Sequence, residues 1–260
     1  LVLDSSANVG AGTSLKMVNI GGDLITKNTT QNNVTITGVA ANGTPAVAYY
    51  DVTNGNLKYV LANNPAGSDW SAPVVVESAN DVGSHLSLNV VDGFPAIAYY
   101  DATAKSLRYV RATNVGGVTN NLRDAQGNIL TRAINALVFD PAWGAPGVVD
   151  SGGDVGMYPS LEIITDGTSA QGRPAIAYYD AAPGTKNLKY VRALNVTGSF
   201  PWGTPQTVAS EGDVGMSAGL VLTDGVPGIA YHDATEGDVK FLHLADSTGY
   251  SRIVLGAGTL

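Results

Sequence analysis

Apolar and polar residues alternate with a period of two along most of the chain, and the pattern breaks at turns rich in glycine or proline. Residues 174–180 are apolar on both faces of an extended chain, with small side chains on one face (Ala175 and Ala177) and large ones on the other (Ile176 and Tyr178). A short strand that is apolar on both faces is typical of a position between packed sheets. The pattern therefore predicts a buried β-strand.

The chain contains four copies of this segment, which read GTPAVAYYDV, GFPAIAYYDA, GRPAIAYYDA and GVPGIAYHDA at 43–52, 93–102, 172–181 and 225–234. Each copy is followed by a second alternating segment, NLKYVLA, SLRYVRA, NLKYVRA or DVKFLHLA, which predicts a hairpin. A catalytic group of residues normally occurs once in a chain, whereas a structural one can recur in every unit. The repetition therefore favours a structural role for the residues of this segment.

Two further motifs complete each unit. A Trp-x-x-Pro segment that begins at Trp70, Trp143 or Trp202 predicts an outer strand, where a proline is tolerated because it lies at the sheet edge. An Asp-Val-Gly segment follows and leads into another strand, as in residues 154–164. Four short antiparallel strands in about 50 residues are typical of a propeller blade. The sequence thus predicts an all-β fold in one domain over 1–260, a β-propeller of four blades with five as the alternative.

The repeats also divide the chain. The predicted units lie at approximately 34–80, 81–150, 151–210 and 211–260, and 1–33 is left as an extra N-terminal strand or strands with a loop at 20–35. The second unit carries an insertion at 114–138, which must project from a face or rim of the propeller. Long loops on rigid scaffolds often hold specific contacts. The insertion is therefore either a partner contact or a tolerated decoration.

Taken together, the motifs G-x-PAIAYYD, LKYVRA, W-x-x-P and DVG-x-x-x-SL resemble the repeats of a family of bacterial surface and secreted β-propellers, over nearly all of residues 34–260. In architecture, this family is similar to sialidase-type and lectin propellers. The resemblance implies an extracellular or cell-surface location. No Ser-x-Asp-x-Gly-x-x-Trp box is present, and the arginines suggest no triad for a substrate carboxylate.

Composition excludes several classes of function. Charged residues make up 14% of the chain and the net charge is −8, without a basic run, so nucleic acid is not an expected partner. No stretch approaches the roughly 20 apolar residues of a membrane span, and none is expected. The absence of cysteine leaves no disulfide framework and no thiol chemistry, which fits an extracellular protein without requiring one.

The recurring Tyr-Tyr-Asp has two interpretations. In the structural one, the aspartate accepts hydrogen bonds from its hairpin turn and the tyrosine fills space between blades. In the other, each blade carries a shallow glycan site, formed by Tyr50, Tyr100, Tyr179 and His232. The Asp-Val-Gly segments lack the dense oxygen ligands of a calcium loop, so neither a metal site nor a cofactor is expected.

Little in the sequence indicates an enzyme. The three histidines, His85, His232 and His243, lie in different motifs, and no G-x-S-x-G nucleophile elbow occurs. A carboxylate pair for glycoside hydrolysis stays open, since spacing in sequence does not fix separation in space. We therefore expect no catalytic residue and no enzymatic activity.

The N-terminus repeats the outer-strand and inner-strand motifs of residues 148–164, so that Leu1, Val2 and Leu3 form a fifth candidate outer strand for four hairpins. This strand either packs within its own propeller or completes a sheet edge on a neighbouring molecule. Donation from head to tail would build a filament.

These observations predict a non-enzymatic extracellular structural or adhesion module that assembles into a surface filament if the strand is donated. Its expected partners are further copies of itself or a surface glycan or protein. The alternatives are a carbohydrate-binding lectin and, second, a glycosidase-like enzyme.

Overall fold

The structure is a computed structural model that describes residues 9–18, 30–31, 34–35, 44–64, 66–113, 123–124, 142–165, 172–223, 225–244 and 252–254. All regular secondary structure within these ranges is β-strand. Accordingly, the described part of the chain contains no helix that is long and apolar enough to cross a membrane.

The described residues form nineteen strands. In chain order they are β1 (Val9–Val18), β2 (Thr30–Gln31), β3 (Val34–Thr35), β4 (Thr44–Asp51), β5 (Asn56–Leu61), β6 (Val74–Glu77), β7 (Val82–Val91), β8 (Phe94–Asp101), β9 (Ser106–Arg111), β10 (Arg123–Asp124), β11 (Gly147–Asp150), β12 (Val155–Ile164), β13 (Arg173–Asp180), β14 (Asn187–Arg192), β15 (Gln206–Ala209), β16 (Val214–Thr223), β17 (Val226–Asp233), β18 (Asp238–Leu244) and β19 (Arg252–Val254).

Four antiparallel sheets of four strands form the blades of a propeller. From the inner to the outer strand, blade 1 is β1-β4-β5-β6, blade 2 is β7-β8-β9-β11, blade 3 is β12-β13-β14-β15 and blade 4 is β16-β17-β18-β19. The inner strands lie side by side, β1 next to β7, β7 next to β12 and β12 next to β16. The predicted all-β propeller of four blades is confirmed.

Each central hairpin closes at the aspartate of the repeated segment. Asp180 accepts hydrogen bonds from the amide of Ala182 and the hydroxyl of Thr185, both at 3.0 Å. Asp101 accepts one from the amide of Ala104 at 2.8 Å, and the equivalent aspartates of blades 1 and 4 accept similar bonds. All four carboxylates are buried. The structural interpretation of this aspartate is therefore confirmed.

The hydrophobic core consists of layers between successive blades. Between blades 2 and 3, Ala96 and Ala98 of one blade pack in the same cluster as Ile176 and Tyr178 of the next, and all four are fully buried. Small alanines on one face leave room for large side chains on the facing blade. Each large side chain buried in this way contributes about 1.5–3 kcal/mol.

The glycine of Asp-Val-Gly allows the blades to approach. Gly156, at φ +107°, lies so near blade 2 that a Cβ atom built on it would come within 2.6 Å of the Cα atom of Leu107. Gly215 has the same relation to Leu188 at 2.7 Å. Each contact therefore requires a residue without a side chain.

Blade 4 differs from the others on one face. Val239 is 54% exposed, whereas the equivalent residues of the first three blades, Leu57, Leu107 and Leu188, are 0% exposed under the next blade. Val221, on the inner strand of blade 4, is 46% exposed. Blade 4 therefore packs against a neighbour mainly on its other face.

Two features depart from the sequence prediction. The N-terminal strand β1, which the repeat units leave outside 34–80, is the inner strand of blade 1, paired with β4. The segment 20–35, predicted as a loop, contains β2 and β3, and these form a small antiparallel sheet with β10 of the insertion. Short-range patterning could not reveal this pairing because the strands are two residues long and far apart in sequence. Leu1, Val2, Leu3 and most of the insertion lie outside the described residues.

Candidate functional site

The inner strands β12 and β16 are irregular just after the Asp-Val-Gly segment at which they begin. The register of β12 on β13 shifts on both sides of Met157, and that of β16 on β17 on both sides of Met216. The residue after each of these methionines has a positive φ: Tyr158 has φ +50° and Ser217 has φ +53°. A side chain in this left-handed conformation costs about 1–2 kcal/mol, and such strain collects at functional sites. The position holds His85 in blade 2.

Four rings form a row across blades 2 and 3, which we call the aromatic row and define as Tyr100, His85, Tyr158 and Tyr179. Successive ring centroids lie 6.1, 4.4 and 6.4 Å apart. His85 and Tyr158 are half-buried, whereas Tyr100 and Tyr179 are buried. Burial lowers the pKa of His85 below its ordinary value. The imidazole is therefore neutral at pH 7.

Each end of the aromatic row is a hydrogen-bonded Tyr–Asp pair. The Tyr100 hydroxyl donates to Asp154 at 2.5 Å, and the Tyr179 hydroxyl donates to Asp213 at 2.6 Å. Burial is the main cause that raises the pKa of both tyrosines, and these hydrogen bonds are the second cause. In every case the tyrosine belongs to one blade and the aspartate to the next. The pairs therefore tie the blades together and hold carboxylates beside the rings.

Two lysines complete these pairs. The ammonium of Lys105 lies 3.3 Å from Asp154, and that of Lys186 lies 2.7 Å from Asp213. Hydrogen bonds from Lys186 and then Tyr179 lower the pKa of Asp213, so this carboxylate is ionised at neutral pH. Both ion pairs are partly exposed, and such pairs contribute about 0–1 kcal/mol.

The predicted glycan residues have different surroundings. Tyr100 and Tyr179 belong to the aromatic row. Tyr50 forms the same kind of pair at the first junction, where its hydroxyl donates to Asp81 at 2.5 Å. His232 takes the place of the second tyrosine in blade 4 and pairs across the sheet with Met216. Among the described residues it has no ring contact with the aromatic row.

Sequence reasoning missed His85, Tyr158, Lys105 and Lys186 as site residues. Their signal is variation within the repeat. His85 and Tyr158 occupy one position of the inner strand that changes from unit to unit, between a preceding Val-Gly and a following serine. Lys105 and Lys186 stand where blades 1 and 4 have glycine. An alignment of the four units would have exposed both positions.

A second set of acidic side chains serves the blade junctions. Asp150 ends the outer strand of blade 2 and accepts hydrogen bonds from Tyr178 and Lys189 of blade 3, both at 2.6 Å. Burial opposes the ionisation of Asp150, but the bonds from Lys189 and Tyr178 hold its pKa below the ordinary value. The first tyrosine of the segment therefore has a structural partner in the preceding blade.

A cavity of about 250 Å³ lies at the start of β13, away from Tyr179 at the other end of that strand. Its polar lining comes from Arg173, Arg192, Thr204 and Gln206, and no acidic side chain lines it. It therefore lacks the carboxyl groups that the aromatic row brings together. Among the described residues no group of three or more His, Asp or Glu side chains could hold a metal ion.

No protein-family model matches the chain, and no curated protein matches it. Solved structures of similar fold include a bifunctional GH43-CE protein of Bacteroides eggerthii, with 14% identity, a TM-score of 0.47, and coverage of 84% of this chain and 26% of that one. An exo-1,5-alpha-L-arabinanase from a bovine ruminal metagenomic library has 10% identity, a TM-score of 0.45 and coverage of 88% and 76%. A thermostable family-43 glycoside hydrolase has 11% identity and a TM-score of 0.41, with coverage of 82% of this chain and 71% of that one.

The chain thus spans about a quarter of the Bacteroides eggerthii protein. All three structures bear names of glycoside hydrolases. This finding contradicts the predictions of a non-enzymatic adhesion or assembly module and of no enzymatic activity, and both predictions are corrected. Because identities of 10–14% concern the fold, the activity of this chain has to be argued from its own residues.

Proposed function

We propose that this protein binds a glycan over the aromatic row and hydrolyses it, as a glycoside hydrolase does. One observation carries the proposal: the row of rings ends on both sides in a Tyr–Asp pair, so that aromatic faces and carboxylates occupy the same part of the propeller. Aromatic rings offer apolar faces to the C–H face of a sugar. Carboxylates accept hydrogen bonds from its hydroxyl groups.

Hydrolysis of a glycosidic bond normally uses two carboxyl groups, one that protonates the leaving oxygen and one that acts ionised as base or nucleophile. Asp213 fits the ionised role because Lys186 and Tyr179 lower its pKa. Asp81 and Asp154 are the further carboxyl groups that tyrosine hydroxyls hold at the blade junctions. These three aspartates are the candidates for the reaction.

The inner-strand irregularity supports a ligand site at this position. Tyr158 keeps a backbone conformation that disfavours its side chain, at φ +50°. The strain brings its ring to 4.4 Å from His85, across the junction of two blades. Ser217 adopts the same conformation in blade 4, at φ +53°, so the ring of Tyr158 and its contact with His85 distinguish this position in blade 3.

The experiment measures release of reducing ends from a panel of polysaccharides that includes arabinan, together with binding by isothermal titration calorimetry. We expect hydrolysis by the wild-type protein, its loss in Asp213→Asn, and weaker binding in Tyr158→Ala. Asp69→Asn is the matched control, because Asp69 is an exposed acid in a turn of blade 1. Hydrolysis of no member of the panel, or full activity of Asp213→Asn, would refute the enzymatic assignment. Binding without hydrolysis would leave the aromatic row as a glycan site only.

A location outside the cell and self-association remain predictions from the sequence. Light scattering of the purified protein over a range of concentrations tests the second. A molar mass that stays that of one chain at every concentration would contradict it.

A further inference from the structure

The hairpin turns of blades 2 and 3 place a lysine where the backbone favours glycine. Lys105 and Lys186 have φ of +53° and +54°. The equivalent residues of blades 1 and 4 are Gly55 and Gly237, at +67° and +78°. Glycine adopts this conformation freely, whereas a lysine there is strained. The two blades that hold the ends of the aromatic row are thus the two that accept this strain.

The ion pairs of these lysines do not offset the free-energy cost of the strained backbone. Their side chains are 62% and 52% exposed, so water screens the ion pairs that they form with Asp154 and Asp213. The backbone bond that closes the junction does not need them either. The carbonyl of Gly55 accepts the amide of Val82 at 3.0 Å, and the carbonyl of Lys186 accepts that of Val214 at the same distance. A glycine would therefore serve the fold equally well.

Each lysine instead places a donor beside an acceptor. An ammonium group has three N–H donors, and an ionised carboxylate can accept about four hydrogen bonds. In the triad of Tyr179, Asp213 and Lys186, the carboxylate accepts one bond from the hydroxyl and one from the ammonium. Both groups keep hydrogen-bonding capacity for a ligand. Two adjacent sugar hydroxyls, each a donor and an acceptor, match such a pair.

The charges favour a neutral ligand. Within each pair the lysine and the aspartate cancel, and the protein as a whole carries a net charge of −8, which repels anions. We infer that the pairs Lys105–Asp154 and Lys186–Asp213 select an uncharged glycan by binding adjacent hydroxyl groups of its rings. This inference rests on the proposed function, since it names the ligand class of the same site.

The test compares wild type with Lys105→Gly, Lys186→Gly and the double variant. Isothermal titration calorimetry uses hexasaccharides of 1,4-linked glucose and of 1,5-linked arabinose as uncharged probes, and a hexasaccharide of 1,4-linked galacturonic acid as the acidic probe. We expect wild type to bind an uncharged probe at least tenfold more tightly than the acidic one. The double variant should lose at least tenfold in that affinity while its melting temperature stays the same or rises, because glycine relieves the strain. Lys186→Asn, which removes the charge but tolerates the conformation, should also lose affinity.

The outcomes separate the inference from the proposed function. Three outcomes would overturn the inference: unchanged affinity in the double variant, a lower melting temperature of that variant, or tighter binding of the acidic probe. Loss of binding in Tyr158→Ala would in that case still support a glycan site at the aromatic row. If no probe binds to wild type and the polysaccharide panel is not hydrolysed, the inference and the proposed function both fail.

Discussion

Replacement of Gly156 by alanine tests how closely blades 2 and 3 approach. A Cβ atom at this position would lie 2.6 Å from Cα and 2.8 Å from Cβ of Leu107. Leu107 cannot move aside easily, because it is fully buried and its strand β9 is paired on both edges, with β8 and β11. The inner strand β12 must therefore shift away from blade 2.

Two costs add in this variant. A side chain at a backbone conformation that favours glycine costs about 1–2 kcal/mol, and overpacking a close contact costs about 1–3 kcal/mol. We therefore expect the free energy of unfolding to fall by about 3.5 kcal/mol. For a protein of this size that loss lowers the melting temperature by roughly 7–14 °C.

The control is Gly184→Ala in the same blade. Gly184 has φ +88°, but nothing lies within 4 Å of an added Cβ atom, so this variant bears the backbone cost alone. Melting temperatures from circular dichroism and the hydrolysis rate per folded molecule are measured for both. Because Tyr158 lies two residues after Gly156, the rate should fall further than the folded fraction in Gly156→Ala only. Equal melting temperatures for the two variants would refute the close approach of the blades.

Three further predictions follow from the same structure. Asp180→Ala should lower stability by about 1–3 kcal/mol in chemical denaturation, because turn donors lose their acceptor, and leave glycan binding per folded molecule unchanged; lost binding at an unchanged melting temperature would instead identify a ligand contact. Leu188→Ala should lower the free energy of unfolding by about 2–5 kcal/mol, whereas Val239→Ala, at the equivalent but exposed position, should lower it by less than about 1 kcal/mol. Equal losses in the two variants would show that this face of blade 4 is covered in solution. The melting temperature should hold between about pH 7 and pH 10 and fall on either side. Burial lowers the pKa of His85, so its neutral form gives stability that is present above the unfolded value of about 6.5 and lost as pH falls below it. The depressed pKa of Asp213 gives stability that is present above its unfolded value of about 3.9 and lost as pH falls through the folded value. The pKa of Tyr50, raised to about 12 by its aspartate partner, gives stability lost as pH rises from about 10. A melting temperature that stays constant from pH 7 down to about pH 3, or that already declines between pH 7 and pH 10, would contradict this account.

The repeat explains which parts of the structure could be predicted. Period-two alternation and turn residues are local properties, so the strands, the hairpins and the role of Asp180 follow from short stretches of sequence. The contact of His85 with Tyr158 is different in kind, because it joins two blades through an irregular stretch of strand that alternation does not describe. The strain at Lys186 is likewise invisible in composition, and only comparison with Gly237 in the fourth unit hints at it. Features that vary from unit to unit are thus the ones that reasoning from the repeated pattern missed.

The exposed face of blade 4 makes the stability of this molecule uneven along the chain. Blades 2 and 3 are covered on both faces, so opening either one breaks two interfaces, whereas opening blade 4 breaks mainly the layer that contains Ile229, Tyr231 and Leu242. In proteins built of repeats, stability is approximately a sum of the stability of each unit and of nearest-neighbour interfaces. The backbone amides of β17 and β18 should therefore exchange with solvent by local opening well before those of β8, β9, β13 and β14. Unfolding then proceeds as fraying from one end of an array, with the blades that carry the aromatic row protected until last.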